Sequence, residues 1–378
     1  MIKLGIDRID EFKALFEGKK VGLITNPTGV DSNLVHTADI LKSKVNLTKL
    51  YGPEHGIFGN AEAGEHVESY LDERLGLYVY SLYGKTRRLS KEMLEDVDVL
   101  CYDIQDVGLR FYTYIYTMAY AMMAAKEFGL KFVVFDRPNP LGGIKVEGNL
   151  LNLEYRSFVG YYSIPQRYGL TVGELALLFN KEFKIGCDLT VIPMEGYDRS
   201  KDYLSKDLPW LAPSPNLPTH DSAYLYAATC VFEGTNVSEG RGTTRPFSIV
   251  GAPFINAFLL ADKVKALNLP GLKVRPIFFT PTFSKHQGVL SQGIELFLMD
   301  KETIRPIEAG YQILRIIQND YPEFEFREPW REGQKQMIDL LTGNDDLRMG
   351  KKLEEIFESF KKDQLEFIKI KERYHLYA

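Results

Sequence analysis

Short hydrophobic runs alternate with amphipathic, helix-like segments in the first half of the chain, and this rhythm limits the folds open to it. Several runs are almost continuously apolar, as expected for strands whose sheet has helices on both faces. The predicted strands are residues 21–25, 45–51, 77–82, 97–104, 132–135 and 189–193. The predicted helices are residues 7–17, 36–43, 90–95, 112–128 and 171–183. This pattern predicts an α/β fold with a Rossmann-like, doubly wound parallel sheet.

The pattern changes from roughly residue 253 onward. A helix-like segment at 254–267 precedes strand-like runs at 273–279 and 289–299, and helices are predicted at 307–318 and 351–371. We therefore predict a Rossmann-like domain over residues 1–250 and a smaller α+β C-terminal domain over residues 251–378 that completes a cleft. The first strand is followed by TNPTG rather than G-x-G-x-x-G, so a dinucleotide cofactor is not indicated.

Composition restricts the partners of the chain. At 378 residues and 45% hydrophobic, it is long enough for two domains. The net charge of -5 gives no reason to expect binding to nucleic acid or to an anionic membrane. The N-terminus has no export signal, so we expect a cytoplasmic protein as given, or an extracytoplasmic one if a signal has been removed. The oligomeric state is not predicted.

Polar residues follow four of the predicted parallel strands directly. Because ligands of open α/β sheets bind outside the carboxyl ends of the strands, we expect these residues at one rim. They are Asn26, Glu54, His55, Gln105, Asp106, Arg110, Asp136 and Arg137. The alternative is ordinary turn chemistry, and for Asp136 and Arg137 a salt bridge that orders a loop.

Glu54 and His55 form the sharpest of these signals. A Glu between Pro53 and Gly56, straight after a buried strand, suits a fixed carboxyl group at the floor of a cleft better than it suits packing. His55 would orient Glu54 or bind the ligand. A metal site would have to draw on Glu54, His55, Glu65, His66, Asp103 and Asp106, whose spacing matches no metal signature, so we predict none.

Residues 233–245, EGTNVSEGRGTTR, are too polar and too rich in Gly to build a core. The segment is either a solvated loop or the wall of a polar-ligand site. Its candidate binding residues are Glu233, Asn236, Glu239, Arg241 and Arg245. Elsewhere, Tyr112 belongs to an aromatic run that either packs in the core or stacks on a sugar face.

Eight ordered motifs now make a family resemblance visible. They are YGPEHG (51–56), YSLYG (80–84), DIQDVGLRFYTY (103–114), DRPNPLG (136–142), VEG (146–148), TVGELA (171–176), PSPNLPT (213–219) and EGTNVSEGRGTT (233–244). With these motifs the whole chain resembles the NamZ-type exo-β-N-acetylmuramidases, a family long carried as a domain of unknown function. Phe58 departs from the pattern, because several relatives are expected to have a basic residue there.

The resemblance implies a glycoside hydrolase of bacterial peptidoglycan turnover that uses no cofactor. It would release N-acetylmuramic acid from the non-reducing end of cell-wall fragments or of the muramyl–glucosaminyl disaccharide. The resemblance also implies that Glu54 belongs to the catalytic centre. We expect Glu54 to act as general acid/base, with Asp106, Glu233 or Glu239 as the second carboxyl group, unless the substrate's acetamido group assists.

The 3-O-lactyl carboxylate of muramic acid requires a cation, and Arg suits bidentate binding of a carboxylate. We rank Arg241 first, because small residues surround it, and keep Arg110, Arg137 and Arg245 as candidates. Two other functions stay open: a metal-dependent hydrolase at the same cleft, and a non-catalytic binder of cell-wall sugars.

Overall fold

The protein is described by a computed structural model over residues 2–59, 68–83, 87–203, 208–329 and 333–378. Its strands are β1 (Lys20–Thr25), β2 (Asn46–Gly52), β3 (Tyr70–Asp72), β4 (Leu77–Ser81), β5 (Val99–Asp103), β6 (Lys131–Phe135), β7 (Asp188–Ile192), β8 (Ile249–Ala252), β9 (Leu272–Phe279) and β10 (Ser291–Leu298). Its α-helices are α1 (Thr37–Lys44), α2 (Lys91–Leu94), α3 (Tyr114–Phe128), α4 (Val172–Glu182), α5 (His220–Thr229), α6 (Ala257–Ala266), α7 (Pro306–Asp320), α8 (Met337–Thr342) and α9 (Leu353–Lys371). The 3₁₀ helices include Ile6–Leu15 and Cys230–Gly234.

The larger sheet has seven strands in the order β3-β4-β2-β1-β5-β6-β7. All neighbouring pairs are parallel except β3 with β4. The chain runs outward from β1 in one direction and then, from β5, in the other. This is the doubly wound order of Rossmann-like proteins, and its switch point lies between β1 and β5.

Both faces of this sheet are covered by apolar side chains. Along β5, Leu100 and Tyr102 belong to one core cluster, whereas Val99 and Cys101 belong to the other, as the alternation of side chains in a strand requires. Helices α3 and α4 contribute to the first cluster, and α1 with the helix Ile6–Leu15 contributes to the second. The near-continuous hydrophobic strands are therefore explained by burial on both sides.

The C-terminal part contains a three-stranded antiparallel sheet in the order β8-β10-β9, with α6 packed on it. Its core is continuous with the first cluster of the larger sheet, since Ile294 of β10 and Tyr311 of α7 belong to that cluster. The last residues of the chain return to the large sheet, where the Tyr377 hydroxyl donates a hydrogen bond of 2.5 Å to Asp136. The two parts thus share one hydrophobic core.

The structure confirms the predicted α/β class, the mostly parallel sheet and a second, smaller sheet. Each of the predicted strands and helices overlaps an observed element, but β3, β8, α5 and α8 were not predicted. The division at 250/251 stays a prediction, and it falls inside β8. In the described part of the chain, no helix has the length and apolar character needed to cross a bilayer.

Candidate active site

A cavity of about 1420 Å³ opens where the large sheet meets the C-terminal part of the chain. The turns after β2 and β4 and the start of α3 form its walls on the side of the large sheet. The opposite walls come from residues 233–247, from the β9–β10 loop and from residues around α8. The cavity therefore needs both parts of the chain, as the predicted cleft does.

Glu54 lies in the cavity wall, in the turn that follows β2. The Thr113 hydroxyl donates to Glu54 Oε2 at 3.0 Å. Burial and the neighbouring, hydrogen-bonded Glu54 raise the pKa of Tyr83 to about 12, so the Tyr83 hydroxyl stays protonated at neutral pH. His55, also in the wall, is buried and has a φ of 72°. A non-Gly residue in this region costs about 1–3 kcal/mol, and such conformations are concentrated at functional sites.

Aromatic rings form a continuous surface beside Glu54. The ring centroids of Tyr112 and Tyr114 lie 5.0 Å apart, those of Tyr112 and Tyr226 lie 5.9 Å apart, and those of Tyr226 and Phe247 lie 4.6 Å apart. All four side chains line the cavity. Faces and edges of this kind suit the apolar face of a pyranose ring.

A chain of alternating charges forms the opposite wall. Arg241 Nη2 lies 2.9 Å from Glu233 Oε1, and Arg241 Nε lies 3.2 Å from Glu239 Oε1. Lys285 Nζ lies 2.7 Å from the other Glu239 oxygen. Although burial opposes ionisation, Lys285 and Arg241 hold the pKa of Glu239 below its ordinary value. Glu239 is therefore an ionised carboxylate at neutral pH, and it fixes the two cations.

The charge of the cavity wall is opposite to that of the whole chain. The cationic lining residues are Arg87, Arg156, Arg241, Lys285, Arg327 and Lys335, and the anionic ones are Glu54, Glu233 and Glu239. Among the described residues of the wall, six cations face three carboxylates in a chain whose net charge is -5. Apart from Arg241, these cations were not singled out in the sequence, because isolated Lys and Arg residues carry no local signal. The cavity is electrostatically suited to an anionic ligand.

Asp106 does not line the cavity, which corrects its expected place at the catalytic rim. Its Oδ2 accepts hydrogen bonds from the Gly108 amide at 2.6 Å and from the Tyr168 hydroxyl. Burial raises the pKa of Asp106 to about 6. By accepting from the Gly108 amide, the Asp106 carboxyl group stabilises the turn after β5.

Three further rim candidates are also buried outside the cavity lining. Arg110 donates to the main-chain oxygens of Asn149, Ile164, Leu341 and Thr342, so it joins loops of the two parts of the chain. The side chain of Asn26 accepts from Thr28, and that of Gln105 donates to the main-chain oxygens of Asp106 and Pro138. The expectation that these three contact the ligand is corrected by their position.

Asp136 and Arg137 do not pair with each other through their side chains. Arg137 donates from Nε and Nη2 to the two carboxylate oxygens of Asp103, at 2.5 and 2.8 Å. Asp136 accepts from the Thr171 hydroxyl at 2.8 Å and from the Gly173 amide at 2.7 Å, and burial raises its pKa to about 7. Both residues connect elements inside the fold and lie away from the large cavity.

Residues 233–245 divide between the cavity and the outer surface. Glu233, Glu239 and Arg241 line the cavity, whereas Asn236 and Arg245 do not. The Asn236 side chain donates to the main-chain oxygen of Glu323 at 2.7 Å, and the Arg245 guanidinium pairs with the Glu295 carboxylate at 3.3 Å. Asn236 and Arg245 therefore have structural contacts in place of the expected contact with substrate.

Within the described ranges, no group of three or more His, Cys, Asp or Glu side chains is arranged to hold a metal ion. Two members of the metal alternative, Glu65 and His66, lie outside the described residues.

The fold and the site together define an α/β protein with a carboxylate-bearing cleft for a polar, anionic ligand. Residues 21–221 match the family described as "Exo-beta-N-acetylmuramidase NamZ, N-terminal", and residues 224–377 match its C-terminal counterpart. The chain belongs to the NamZ exo-β-N-acetylmuramidase family.

Named relatives agree with this assignment. The "Peptidoglycan beta-N-acetylmuramidase NamZ" of Bacillus subtilis (strain 168) is 49% identical over 384 residues, which cover 100% of this chain and 91% of the relative. Among solved structures, a DUF1343 family protein from Bacteroides fragilis NCTC 9343 superposes with a TM-score of 0.89 at 39% identity. A second one from the same organism gives 0.76 at 30% identity. Each comparison covers 100% of this chain and 99% of the solved chain.

Proposed function

We propose that this protein is an exo-acting glycoside hydrolase that releases N-acetylmuramic acid from the non-reducing end of peptidoglycan fragments or of the muramyl–glucosaminyl disaccharide. The observation that carries the proposal is the Glu54 carboxyl group, oriented by hydroxyl groups in the wall of a large cationic cavity, in a chain of the NamZ family. The compartment stays a prediction: cytoplasmic as given, or extracytoplasmic if an export signal has been removed.

Glu54 serves as the general acid/base in this proposal. Hydrolysis of a glycosidic bond requires a proton on the leaving oxygen, and a carboxyl group in the cavity wall can supply it. Thr113 restrains the carboxyl group from one side, and Tyr83 is its second hydroxyl neighbour. His55, in the same turn, would help to orient Glu54 or to bind the sugar.

Glu233 is the better of the two cavity carboxylates for the second catalytic role. Its side chain is 25% exposed, whereas that of Glu239 is 2% exposed and lies between two cations. Glu239 is held too firmly to approach a sugar carbon. Asp106 is left out of the reaction because it lies away from the cavity lining. Assistance by the acetamido group of the substrate is the alternative to Glu233.

Recognition of the reacting sugar is assigned to two surfaces of the cavity. Tyr112 and Tyr226 would stack on the pyranose. Arg241 would bind the lactyl carboxylate through Nη1, which makes no hydrogen bond to any of the described residues, whereas Nη2 donates to Glu233. The guanidinium also lies over the Phe247 ring at 5.0 Å, which fixes its plane.

A pair of aryl glycosides tests the proposal directly. The aryl β-glycoside of N-acetylmuramic acid should be hydrolysed, and that of N-acetylglucosamine should be hydrolysed far more slowly. Binding of the muramide without release of the aryl group would contradict the proposal and indicate a non-catalytic sugar binder. Loss of hydrolysis in EDTA, restored by a divalent metal, would indicate the metal-dependent alternative.

A further inference from the structure

Three cationic side chains of the cavity wall each lie over an aromatic ring. The Arg87 Cζ atom is 3.9 Å from the centroid of Phe158, and the Arg156 Cζ atom is 4.9 Å from that of Tyr161. Lys335 Nζ is 4.6 Å from the centroid of Tyr155. The three rings belong to one short segment, residues 155–161, which we call the aromatic segment. One segment therefore carries one of the cations, Arg156, and contacts the other two, which come from distant parts of the chain.

The charge environment of these three cations differs from that of Arg241 and Lys285. Among the described residues, no Asp or Glu lies within ion-pair distance of Arg87, Arg156 or Lys335, and all three residues are exposed. Arg241 and Lys285, in contrast, are each paired with Glu239. A ring face attracts a cation without using its N–H groups, so the N–H groups that are not bonded elsewhere, as Arg87 is to the Tyr83 hydroxyl, stay available to an anion.

One of the three cations is linked to the catalytic carboxyl group, and all three are exposed. Arg87 also lies over the Tyr83 ring at 5.5 Å, and Tyr83 interacts directly with Glu54. Arg156 and Lys335 follow along the aromatic segment, on exposed side chains. In an exo-acting enzyme the terminal sugar occupies the inner end of the site, and the rest of the bound substrate extends toward solvent. We therefore expect the exposed cations to lie beside the part of the substrate beyond the scissile bond.

The size of the cavity agrees with such an extension. Small-ligand pockets usually measure roughly 300–1,000 Å³. This cavity, at about 1420 Å³, is larger than one sugar requires.

We propose that Arg87, Arg156 and Lys335 form a subsite for a carboxylate on the leaving-group side of the scissile bond. The subsite makes the enzyme prefer an acidic leaving portion to a neutral one, and this inference rests on the proposed function. In cell-wall fragments the carboxylate has two sources: the lactyl group of the next muramic acid residue, or a peptide attached to that lactyl group.

The test compares three substrates: the disaccharide MurNAc-GlcNAc, the trisaccharide MurNAc-GlcNAc-MurNAc, and the same trisaccharide with a peptide on its reducing-end lactyl group. In the double variant Arg156→Gln/Lys335→Gln, the ratio of kcat/KM for either acidic trisaccharide to that for the disaccharide should fall about tenfold, mainly through KM. A fall for the peptide-free trisaccharide identifies the lactyl carboxylate. A fall only for the peptide-bearing one identifies the peptide.

Arg88→Gln is the matched control, because Arg88 is an exposed arginine over an aromatic ring, 5.6 Å from the Tyr120 centroid, and does not line the cavity. Its ratios should equal those of the wild type. Ratios within twofold of the wild type for both trisaccharides in the double variant would overturn the subsite, and the single variants repeat the test if the double variant is unstable. Failure of the wild type to hydrolyse the aryl muramide would instead overturn the proposed function.

Discussion

Two neighbouring regions at the carboxyl edge of the large sheet carry similar polar and charged residues, but one is nearly filled and the other forms a large cavity. At the switch point between β1 and β5, where doubly wound proteins commonly bind ligands, the space is only about 20 Å³. Beyond β2 and β4, on the other side of β1, the cavity measures about 1420 Å³. The first region leaves almost no free space and the second is open, so a polar residue at a strand end does not by itself mark the site.

The difference lies in where the charges find their partners. At the switch point, Asp103 is fully buried and accepts from Arg137 and from the Thr37 hydroxyl. A buried carboxylate requires such partners, since an unpaired charge in the interior is strongly unfavourable. Beside the cavity, cations such as Arg87 face open space. Complete pairing of a fully buried charge thus indicates a structural role, whereas a partly exposed charge beside the cavity is available for binding.

The largest effect is expected from Glu54→Gln. The amide keeps the size of the side chain but cannot donate or accept the proton, so kcat/KM for the aryl muramide should fall by about 10²–10⁴-fold. The midpoint of thermal unfolding should change little, because Glu54 borders a cavity. Activity close to that of the wild type would remove Glu54 from the catalytic role.

Arg137→Met tests the closed region. The substitution leaves Asp103 buried without its bidentate partner, and breaking a buried ion pair in this way costs about 3–5 kcal/mol of unfolding free energy. Denaturant unfolding measures the loss, and the folded fraction should still hydrolyse the muramide. Arg245→Met is the control. The Arg245 side chain, which pairs with Glu295, is 46% exposed, so its loss should lower the unfolding free energy by less than about 1 kcal/mol. Equal losses in the two variants would contradict the assignment of the switch point to stability.

The pH dependence of stability in Asp106→Asn tests whether the Asp106 carboxyl group has a structural role. Because the folded-state pKa of Asp106 is raised to about 6, the folded protein keeps a proton that the unfolded chain releases above its ordinary pKa. The stabilisation from the neutral carboxyl group is complete below about pH 4 and is lost as the pH rises through 6. Asn cannot ionise. The unfolding free energy of the variant, relative to that of the wild type, should therefore rise by about 2–3 kcal/mol between pH 4 and pH 7.5. Denaturant unfolding of both proteins at the two pH values measures this gain, and a constant difference would contradict it.

Local pattern was sufficient for the fold. The strand runs of β1, β2 and β5 are hydrophobic because both faces are buried, and this is a property of each segment alone. The short strand β3 was missed because it lies at the sheet edge, where Tyr70 and Leu71 are exposed and no hydrophobic pattern is required.

The site could be predicted only in part, because its walls come from distant parts of the chain. The placement of Glu54 beside the cavity followed from the rule on strand ends, since the turn after β2 carries it. The sequence does not show that Arg137 would pair with Asp103 across two strand ends, or that Arg110 would reach carbonyl groups near residue 342. Lys285 and Lys335 enter the cavity only through tertiary packing. Which polar residues pair internally depends on that packing.

Arg241→Ala should produce the smallest effect and the one most specific to recognition. Because Arg241 is shared between Glu233 and Glu239, only part of its charge is available to a ligand, and its removal should reduce the preference for aryl muramide over aryl glucosaminide about tenfold. Arg241→Lys keeps a charge near both carboxylates but lacks the additional guanidinium nitrogen that would bind the ligand, so its preference should be intermediate. Arg245→Ala is the matched control, four residues further on and outside the cavity lining, and should leave the preference unchanged. An unchanged preference in both Arg241 variants would instead assign recognition of the reacting sugar's carboxylate to the exposed cations of the cavity, among which Arg87 contacts Tyr83, a direct neighbour of Glu54.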